Sequence, residues 1–347
     1  MRVVVKMAIA TVLSATAWMA EAVPLKFCVF DVMGTGGEAY SMSRDYVIAM
    51  QRNDVDIELK AYLNEGLAAE DYRAGRCDAL LATAFRTRPF NPVAASTDTI
   101  GATTVLRKGM VDINASYDVL RKLVQTYATP SPLVSRLMIN GEHEVGGVLP
   151  IGPAYPFVND RRISSLDAAQ GKRVAALEYD RSQAAIIQKV GAIPVPVDIT
   201  NVHLKFNSGQ VDVVNLPTLA FLPLELQRGM GKRGGVARFP LMIVTYQMVF
   251  RRSKLPEGFG QVSRSYWLSQ FDRVLQLIRN GDATIPPSAW IDIGPEDSVK
   301  YVTLMRDIRI QLAQEGFFDK RGLKILKRIR CHVAPEDTEC KTKQEED

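Results

Sequence analysis

Short apolar runs alternate with amphipathic segments between residues 163 and 225. Residues 172–177 form an apolar run, and residues 181–190 then place apolar side chains at helical spacing. Gly191 follows them, and glycine is typical of the position just after a helix. The pattern predicts a strand followed by a helix. The apolar helical positions are Ala184, Ile187 and Val190.

The alternation continues towards residue 225. Residues 193–197 are extended in character, and Thr200 can cap a helix through Phe206 that stops at Gly209. Residues 211–215 form a β-branched apolar run, as expected of a buried strand. The whole segment therefore predicts strand, helix, strand, helix, strand. Such alternation is typical of a parallel sheet, which binds ligands at the carboxyl ends of its strands.

A second alternation between residues 25 and 83 predicts another sheet. The predicted strands are residues 25–31, 55–62 and 77–83, with one helix after the glycine loop at 34–37 and another between Asn64 and Gly75. The glycine loop resembles half of a dinucleotide-binding fingerprint, but no G-x-G-x-x-G, phosphate-binding loop or acidic partner completes it. Turn geometry explains the loop instead, or it brings backbone N–H groups to a cleft.

Two segments can link these alternations. Residues 145–158 are strand-like and rich in Gly and Pro, and residues 238–250 return the chain to the first sheet. Two crossovers with a cleft between the lobes make a hinge-bending clamp. The predicted fold is therefore α/β with two βα lobes and hinge crossovers.

The predicted lobes divide the chain unequally. Residues 23–150 plus 245–347 form lobe 1, and residues 151–244 form lobe 2. The C-terminal part of lobe 1 is helical, because apolar stripes recur at helical spacing from Trp267 and from Tyr301. We interpret both stripes as core.

Three motifs follow one another in residues 163–225: D-x-x-x-G-K-x-V, G-A-x-P-V-P-V and G-Q-V-D-x-x-x-x-P. Their order resembles the second lobe of the extracytoplasmic solute-binding proteins of TRAP transporters, and in particular a divergent branch that includes accessories of RND-type efflux. Residues 28–40, 69–88 and 269–278 also resemble that branch. The resemblance implies a periplasmic binding protein-like fold of type II, with a small-molecule solute and membrane transporter subunits as partners.

The N-terminus has the pattern of a signal peptide. Residues 1–22 combine Arg2 and Lys6, an apolar core of about 13 residues, and a small-x-small cleavage site at residues 20–22. We expect cleavage before Val23 and a periplasmic mature protein. An uncleaved anchor is the alternative, but the apolar core is shorter than the roughly 20 residues that cross a bilayer.

The formal net charge of +5 over 347 residues favours solubility and indicates no particular partner. A basic cluster near the C-terminus is interpreted as a solvated helix face, because no aromatic stacking platform accompanies it. We therefore expect no nucleic-acid partner, and we expect a monomer. The cluster comprises Lys320, Arg321, Lys324, Lys327, Arg328 and Arg330.

Four cysteines in an exported chain predict two disulfides. Cys28 lies in the first predicted strand and Cys77 begins another strand of the same sheet, so we pair them. Cys331 and Cys340 are close in sequence and form the second predicted pair. Metal binding is the rival interpretation, but the histidines are scattered and no C-x-x-C is present. We expect neither a metal nor a cofactor.

Charged and amide side chains at strand ends are candidates for ligand binding. In TRAP solute-binding proteins an arginine in the G-x-K-x-R-V strand usually pairs with the substrate carboxylate, and Ala175 occupies that position here. Arg181 could substitute for it or be a surface residue. Arg86 follows a predicted strand, with Arg88 as its surface companion. Asn215, in the G-Q-V-D-x-x-x-x-P turn, is the strongest candidate.

Other candidates leave the charge of the ligand undecided. Asp31 ends the first strand and could contact a cation, whereas Asp180 is interpreted as a helix cap or as a second such carboxylate. A polyamine or an aminosugar therefore stays open beside an organic acid. Four tyrosines could form aromatic walls with polar tips, or belong to the core. They are Tyr40, Tyr155, Tyr179 and Tyr246.

Three functions are compatible with these features. The first is an extracytoplasmic protein that captures a small molecule between its lobes and delivers it to a TRAP-like membrane transporter. The second is an accessory of an efflux assembly, either without a ligand or binding an aminoglycoside or polyamine. The third is a periplasmic enzyme, which is disfavoured because the chain has no G-x-S-x-G motif and its cysteines are assigned to disulfides.

Overall fold

The computed structural model describes residues 24–344 of the chain. The predicted signal segment at residues 1–22, with the predicted mature start at Val23, lies outside the described residues.

The described chain alternates strands and helices. The strands are β1 (Leu25–Phe30), β2 (Ile57–Tyr62), β3 (Ala79–Thr83), β4 (Leu106–Arg107), β5 (Met110–Val111), β6 (Ile139–Asn140), β7 (His143–Pro153), β8 (Tyr155–Val158), β9 (Arg173–Leu177), β10 (Ile193–Val197), β11 (Val213–Leu216), β12 (Gly235–Ala237), β13 (Ile243–Arg251) and β14 (Trp290–Ile291).

The α-helices are α1 (Glu38–Gln51), α2 (Glu65–Arg73), α3 (Ala84–Thr87), α4 (Pro92–Ala95), α5 (Ile113–Tyr127), α6 (Pro132–Met138), α7 (Leu166–Ala169), α8 (Arg181–Lys189), α9 (Val202–Asn207), α10 (Leu226–Met230), α11 (Phe259–Ser269), α12 (Phe271–Ala283), α13 (Pro295–Gln314) and α14 (Lys320–Val333). Among residues 24–344, no helix combines the length and apolarity that a membrane crossing needs.

The first sheet has the strand order β2-β1-β3-β13-β7-β6. Strands β1, β2 and β3 are parallel, and Phe27 in β1 lies opposite Leu59 in β2 and Ala79 in β3. Helices α1 and α2 pack on β1, which explains why this strand is apolar along nearly its whole length. The predicted βαβαβ unit at residues 25–83 is confirmed.

The second sheet has the strand order β10-β9-β11-β8-β12-β14. Strand β9 is parallel to both β10 and β11, so the second predicted alternation is also confirmed. One detail was wrong: Thr200 does not cap α9, which begins after Asn201. The Thr200 hydroxyl instead donates to Asp198 Oδ1 at 2.9 Å, within the loop after β10.

The chain passes between the sheets inside both predicted crossovers. It leaves the first sheet after β7, passes Ala154 and enters the second sheet as β8, then returns through residues 238–242 to β13. A further passage was not predicted, because β14 pairs with β12 in the second sheet. A two-residue strand has no periodicity from which it could be recognised. The exact lobe boundaries stay a prediction.

The C-terminal helices pack on the first sheet and complete its core. Helices α11 and α12 contact β7, and α14 contacts α5. Trp267 in α11 is fully buried against Gly147, where an added Cβ would lie 2.2 Å from the indole Cδ1. Glycine is therefore required at that close approach. The buried positions of Trp267 and Met305 confirm both apolar stripes as core.

Both predicted disulfides are confirmed, Cys28–Cys77 and Cys331–Cys340. The Cα atoms of the two pairs are 5.9 Å and 5.5 Å apart. The first disulfide connects β1 to Cys77, which lies two positions before the first residue of β3.

The interpretation of the basic cluster as a solvated face was wrong for two of its members. Lys327 and Arg330 are 2% and 1% exposed. The C-terminal segment folds back over them, and the Glu339 carboxylate accepts hydrogen bonds from Arg330 at 2.5 Å and from Arg309 at 3.1 Å. Arg330 also donates to the carbonyl of Ala102 at 2.7 Å. The sequence pattern could not show this contact, because the acidic partner lies beyond the end of the helix.

Candidate ligand-binding cavity

A cavity of about 370 Å³ lies between the two sheets. It is bordered by residues at the carboxyl ends of strands from both lobes, including Phe30, Thr83, Leu177 and Leu216. This edge is where open α/β sheets bind ligands, because the loops that follow the strands converge there. The position of the cavity therefore follows from the two predicted alternations.

The walls are mainly aliphatic and aromatic. Val197, Val202 and Val214 contribute from the second lobe, and Ile151, Met242 and Val244 from the crossovers. The charged residues that line the cavity, among those described, are the carboxylates Asp31, Glu38 and Glu65. No lysine or arginine of the described chain belongs to this lining.

Asp31 lines the cavity, but its carboxylate is already bound by the backbone. Oδ2 accepts from the N–H groups of Ala39 and Tyr40 at 2.9 and 3.2 Å, and Oδ1 accepts from Met33 at 2.9 Å. The carboxylate thus sits at the start of α1, where the helix dipole favours a negative charge. An added Cβ on Gly37 would lie 1.9 Å from this carboxylate, so the glycine loop permits the arrangement. A cation-binding role for Asp31 stays a prediction.

Glu65 is the most deeply buried acid of the site, with no exposed surface. Its Oε1 accepts from the Thr83 N–H at 2.6 Å, and its Oε2 accepts from the Tyr179 hydroxyl at 3.4 Å. Burial is the main cause that raises the pKa of Glu65, since it penalises the charged form. The Thr83 hydroxyl lies buried beside the cavity, close to the Glu65 carboxylate.

Arg86 connects the two lobes just behind this carboxylate. Its Nη2 lies 3.2 Å from Asp198 Oδ2 in the second lobe, and its Nε lies 3.9 Å from Glu65 Oε2. The guanidinium also stacks on the Tyr179 ring, 3.4 Å from the centroid. Arg86 does not itself border the cavity. Its guanidinium instead interacts with one carboxylate of each lobe, Glu65 and Asp198.

A second ion pair joins the lobes at Arg88 and Asp180, with 3.8 Å between Nη1 and Oδ1. Arg88 was predicted to be a surface residue, and that was wrong: its side chain is 12% exposed and lies over the rings of Phe317 and Phe318. Asp180 is confirmed as the cap of α8, since it accepts from the Ser182 N–H.

The buried carboxylate of Asp98, in the turn after α4, contacts the second crossover next to this pair. Asp98 accepts from the Thr245 N–H at 2.7 Å and from the Thr245 hydroxyl at 2.5 Å. Burial raises the pKa of Asp98 to about 8. Thr245 lies between Val244 and Tyr246, which both border the cavity, so protonation of Asp98 occurs directly behind the cavity wall.

Strand β9 begins at the surface with Arg173 and reaches the cavity towards its carboxyl end. Arg173 faces outward and pairs with Asp212 at 2.7 Å, whereas Ala175 borders the cavity. The resemblance predicts a substrate-binding arginine at position 175. Alanine there presents only a methyl group to the cavity.

Asn215 and Tyr246 bring unpaired polar groups to the cavity. Both residues border it, and neither side chain makes a hydrogen bond with any residue in the described range. Burial is the main cause that raises the pKa of Tyr246, so its hydroxyl keeps its proton and can donate. The amide of Asn215 can both donate and accept.

Of the predicted ligand-binding residues, the structure brings Asp31, Tyr179, Asn215 and Tyr246 to the cavity. The others lie outside its lining. Arg181 pairs with Glu315 at 3.0 Å, and Tyr155 packs edge-on against Trp290, 5.2 Å between ring centroids. Tyr40 packs against the core of the first lobe, and Arg86 has the contacts given above.

Sequence reasoning missed Glu65, Thr83 and Gln183, which all line the cavity. Thr83 could have been recognised, because it ends a strand that was predicted. Glu65 resembled an ordinary acidic residue in the first turn of a helix after its Asn64 cap. Within residues 24–344, no three His, Cys, Asp or Glu side chains are grouped so as to hold a metal ion.

Comparisons with known proteins agree with this architecture. Residues 48–345 match the sequence profile of the family described as solute-binding protein AdeT 1/2. The chain is 38% identical to the probable solute-binding protein AdeT1 of Acinetobacter baumannii over 312 residues, which cover 90% of this chain and 98% of that protein. It is 26% identical to AdeT2 of the same organism over 209 residues, or 60% of this chain and 88% of that protein.

Solved structures show the same fold. A TRAP periplasmic solute-binding protein from Desulfovibrio salexigens with bound orotic acid matches with a TM-score of 0.70 at 12% identity, over 90% of this chain and 99% of that one. The periplasmic ectoine-binding protein of the TeaABC TRAP transporter of Halomonas elongata matches with a TM-score of 0.67 at 12% identity, with the same coverage. At such identity the likeness concerns the fold alone.

Proposed function

This chain belongs to the solute-binding protein AdeT 1/2 family, and we propose that it captures a small molecule in the periplasm and delivers it to a membrane transporter. The observation that carries this proposal is the cavity between the two sheets, which combines apolar walls with the unpaired polar groups of Asn215 and Tyr246. Concave, mainly apolar sites with a few placed polar groups are typical of small-molecule binding.

The contacts between the lobes support capture by closure. Arg86–Asp198 and Arg88–Asp180 each join residues of different sheets and lie beside the cavity. Such pairs form only when the lobes are close together, so they favour a closed, ligand-holding state over an open one. Hinge motion then involves the crossovers at Ala154 and at residues 238–242 and the further passage that leads to β14.

The periplasm is the compartment that fits the chain. The signal pattern at residues 1–22 directs export, and both disulfides need an oxidising compartment. In this proposal the mature protein acts as a monomer with transporter subunits as its partners, and it binds its solute without catalysing a reaction. The accessory role in efflux is the second candidate; Ala175 favours it, because the expected acid-binding arginine is missing.

Thermal unfolding with a metabolite library tests the proposal. A ligand that binds only the folded state stabilises it by mass action, by about 2.7 kcal/mol at a hundred times its Kd. We expect a rise in Tm and a retained ligand mass in native mass spectrometry. Ala175→Leu should weaken both by narrowing the cavity, whereas Ala74→Leu, at an exposed helix end, should not. If no compound raises the Tm, capture is refuted.

Delivery is tested separately in cells. A strain that lacks the gene should fail to accumulate the ligand identified above, and the intact gene should restore accumulation. If the strain instead accumulates more of the ligand, the protein serves efflux.

A further inference from the structure

We propose that the cavity selects a largely apolar molecule with a single basic amine rather than an organic acid. This inference rests on the proposed function, because it concerns the ligand of the same cavity.

The first argument concerns charge. An organic acid would bring a carboxylate into a cavity whose charged lining residues, among those described, are Asp31, Glu38 and Glu65. Removing a carboxylate from water without a neighbouring cation is unfavourable even where the Tyr246 hydroxyl and the Asn215 amide can donate to it, and neighbouring like charges add to the cost. Ala175, in place of an arginine, offers no compensation.

The arginines nearest the cavity are engaged elsewhere. Arg86 pairs with Asp198, and Arg88 lies between Asp180 and the Phe317 ring. Arg181 pairs with Glu315 on the C-terminal side. None of the three borders the cavity. To bind an acidic ligand, each arginine would have to break its ion pair with an acidic side chain. The arginines therefore do not make the cavity favourable for an anion.

The second argument concerns polarity. The cavity walls are formed mainly by apolar side chains, and few polar groups border the cavity. The Asn215 amide and the Tyr246 hydroxyl have no hydrogen-bond partner within residues 24–344, and the side chains of Glu38 and Gln183 also belong to the lining. An aminosugar or a polyamine, which the sequence left open, carries more polar groups than these can satisfy. A buried polar group without a partner costs more than its hydrogen bond would have contributed. The ligand must therefore be apolar over most of its surface.

The third argument identifies the position of the amine. Glu65 is fully buried, and the Thr83 N–H and the Tyr179 hydroxyl use only part of the acceptor capacity of its carboxylate. Arg86 Nε lies 3.9 Å away, too far for a hydrogen bond. An ammonium group next to Glu65 would add hydrogen-bond donors and a positive charge closer to this carboxylate than that of Arg86. Asn215 can then accept a further ammonium hydrogen.

Matched ligands test the inference on the wild-type protein. Three skeletons, 4-phenylbutyl, 2-(naphthalen-1-yl)ethyl and octyl, are each used as the primary amine, the alcohol and the carboxylate in calorimetric titrations. We expect the amine of at least one skeleton to bind about tenfold more tightly than its alcohol, and the carboxylate to bind most weakly. A carboxylate or an alcohol that binds as tightly as its amine overturns the inference.

Two variants assign the preference to Glu65. Glu65→Gln keeps the shape and should reduce the amine-over-alcohol ratio to about one. Glu58→Gln makes the same change on an exposed strand position and should leave the ratio unchanged. An undiminished ratio in Glu65→Gln contradicts the assignment. If Glu65→Gln does not fold, the wild-type ranking still decides the matter.

The two proposals fail in different ways. If none of the nine compounds binds but a library compound without an amine raises the Tm, the ligand class is wrong and solute capture stands. If no compound of any charge binds, solute capture itself is refuted.

Discussion

Arg86 Nη2 lies 3.2 Å from Asp198 Oδ2, and these two residues are 112 positions apart in the chain and on different lobes. Their side chains are about one fifth exposed, so the pair is partly shielded from water. The same guanidinium stacks on Tyr179, whose hydroxyl donates to Glu65 in the cavity wall. The contact that joins the lobes is thus continuous with the contacts of the Glu65 carboxylate in the cavity wall.

Removing this contact should weaken ligand binding by loosening the closed state. We expect Arg86→Gln to lower ligand affinity by roughly fivefold, corresponding to about 1 kcal/mol for a partly shielded ion pair. Calorimetric titration measures the affinity, and small-angle X-ray scattering should show a larger radius of gyration for the variant.

Arg173→Gln provides the matched control. Arg173 pairs with Asp212 inside the second lobe, so its loss removes an ion pair without affecting closure. An equal loss of affinity in both variants would contradict a role of Arg86 in closure.

Local patterns in the sequence were sufficient to predict the parallel strands of the two sheets, the disulfides and the cap at Asp180, because each depends on neighbours along the chain or within one sheet. The burial of Arg88 could not be predicted in the same way. Its partners are Asp180 on the other lobe and two rings at Phe317 and Phe318, which only the closed fold brings together.

The site could be predicted only in part for a similar reason. Asn215 lies near the end of β11 and Tyr179 follows β9; the carboxyl ends of both strands were recognisable, and both residues reach the cavity. Tyr155 begins β8, where the chain enters the second sheet, and the face of such a strand cannot be read from four residues. It packs against Trp290, which comes from the unpredicted strand β14.

Asn215 should contribute directly to ligand affinity. Its side chain borders the cavity and has no hydrogen-bond partner among the described residues, so truncation leaves the folded protein unaffected but removes a ligand contact. We expect Asn215→Ala to weaken binding by about tenfold with little change in Tm. Asn53→Ala, at an exposed turn, should change neither quantity. An Asn215→Ala variant that binds like wild type would remove Asn215 from the site.

The two disulfides should contribute unequally to stability. The Cys28–Cys77 bond closes a loop with a sequence separation of 49 and the Cys331–Cys340 bond one of 9. The chain entropy of the unfolded state therefore predicts how much each disulfide contributes to the free energy of unfolding. Replacing the first pair by serine should lower this free energy by about 4 kcal/mol, and replacing the second pair should lower it by about 3 kcal/mol. Denaturant unfolding of the two double variants measures both losses of stability.

Loss of the C-terminal disulfide should also have a local effect. It frees the segment that holds Glu339 against Arg309 and Arg330, which are both buried. We expect faster amide hydrogen exchange in α14 of Cys331→Ser/Cys340→Ser than in Cys28→Ser/Cys77→Ser. Equal exchange in α14 of both double variants would contradict this role.

Asp98 should make the stability of the protein depend on pH. Burial raises its pKa to about 8 in the folded state, against about 4 for an exposed aspartate. Between these values the folded state holds a proton that the unfolded state has released. The free energy of unfolding therefore falls as pH rises from about 4 to about 8, by at most about 1.4 kcal/mol per pH unit from this group. The groups that face the carboxyl are Thr245, Arg88 and Asp180, and the positive charge of Arg88 makes the dependence shallower.

Asp98→Asn isolates this contribution, because the amide has nearly the same shape and cannot release a proton in this range. Urea unfolding at pH 5, 6, 7 and 8 measures the free energy of unfolding of both proteins. As pH rises, the stability of Asp98→Asn should increase relative to that of wild type. Asp118→Asn, at an exposed helix position, should run parallel to wild type. If the stability of Asp98→Asn changes with pH in parallel with wild type, Asp98 carries the same charge in the folded and the unfolded state. Its burial then does not control how the free energy of unfolding depends on pH.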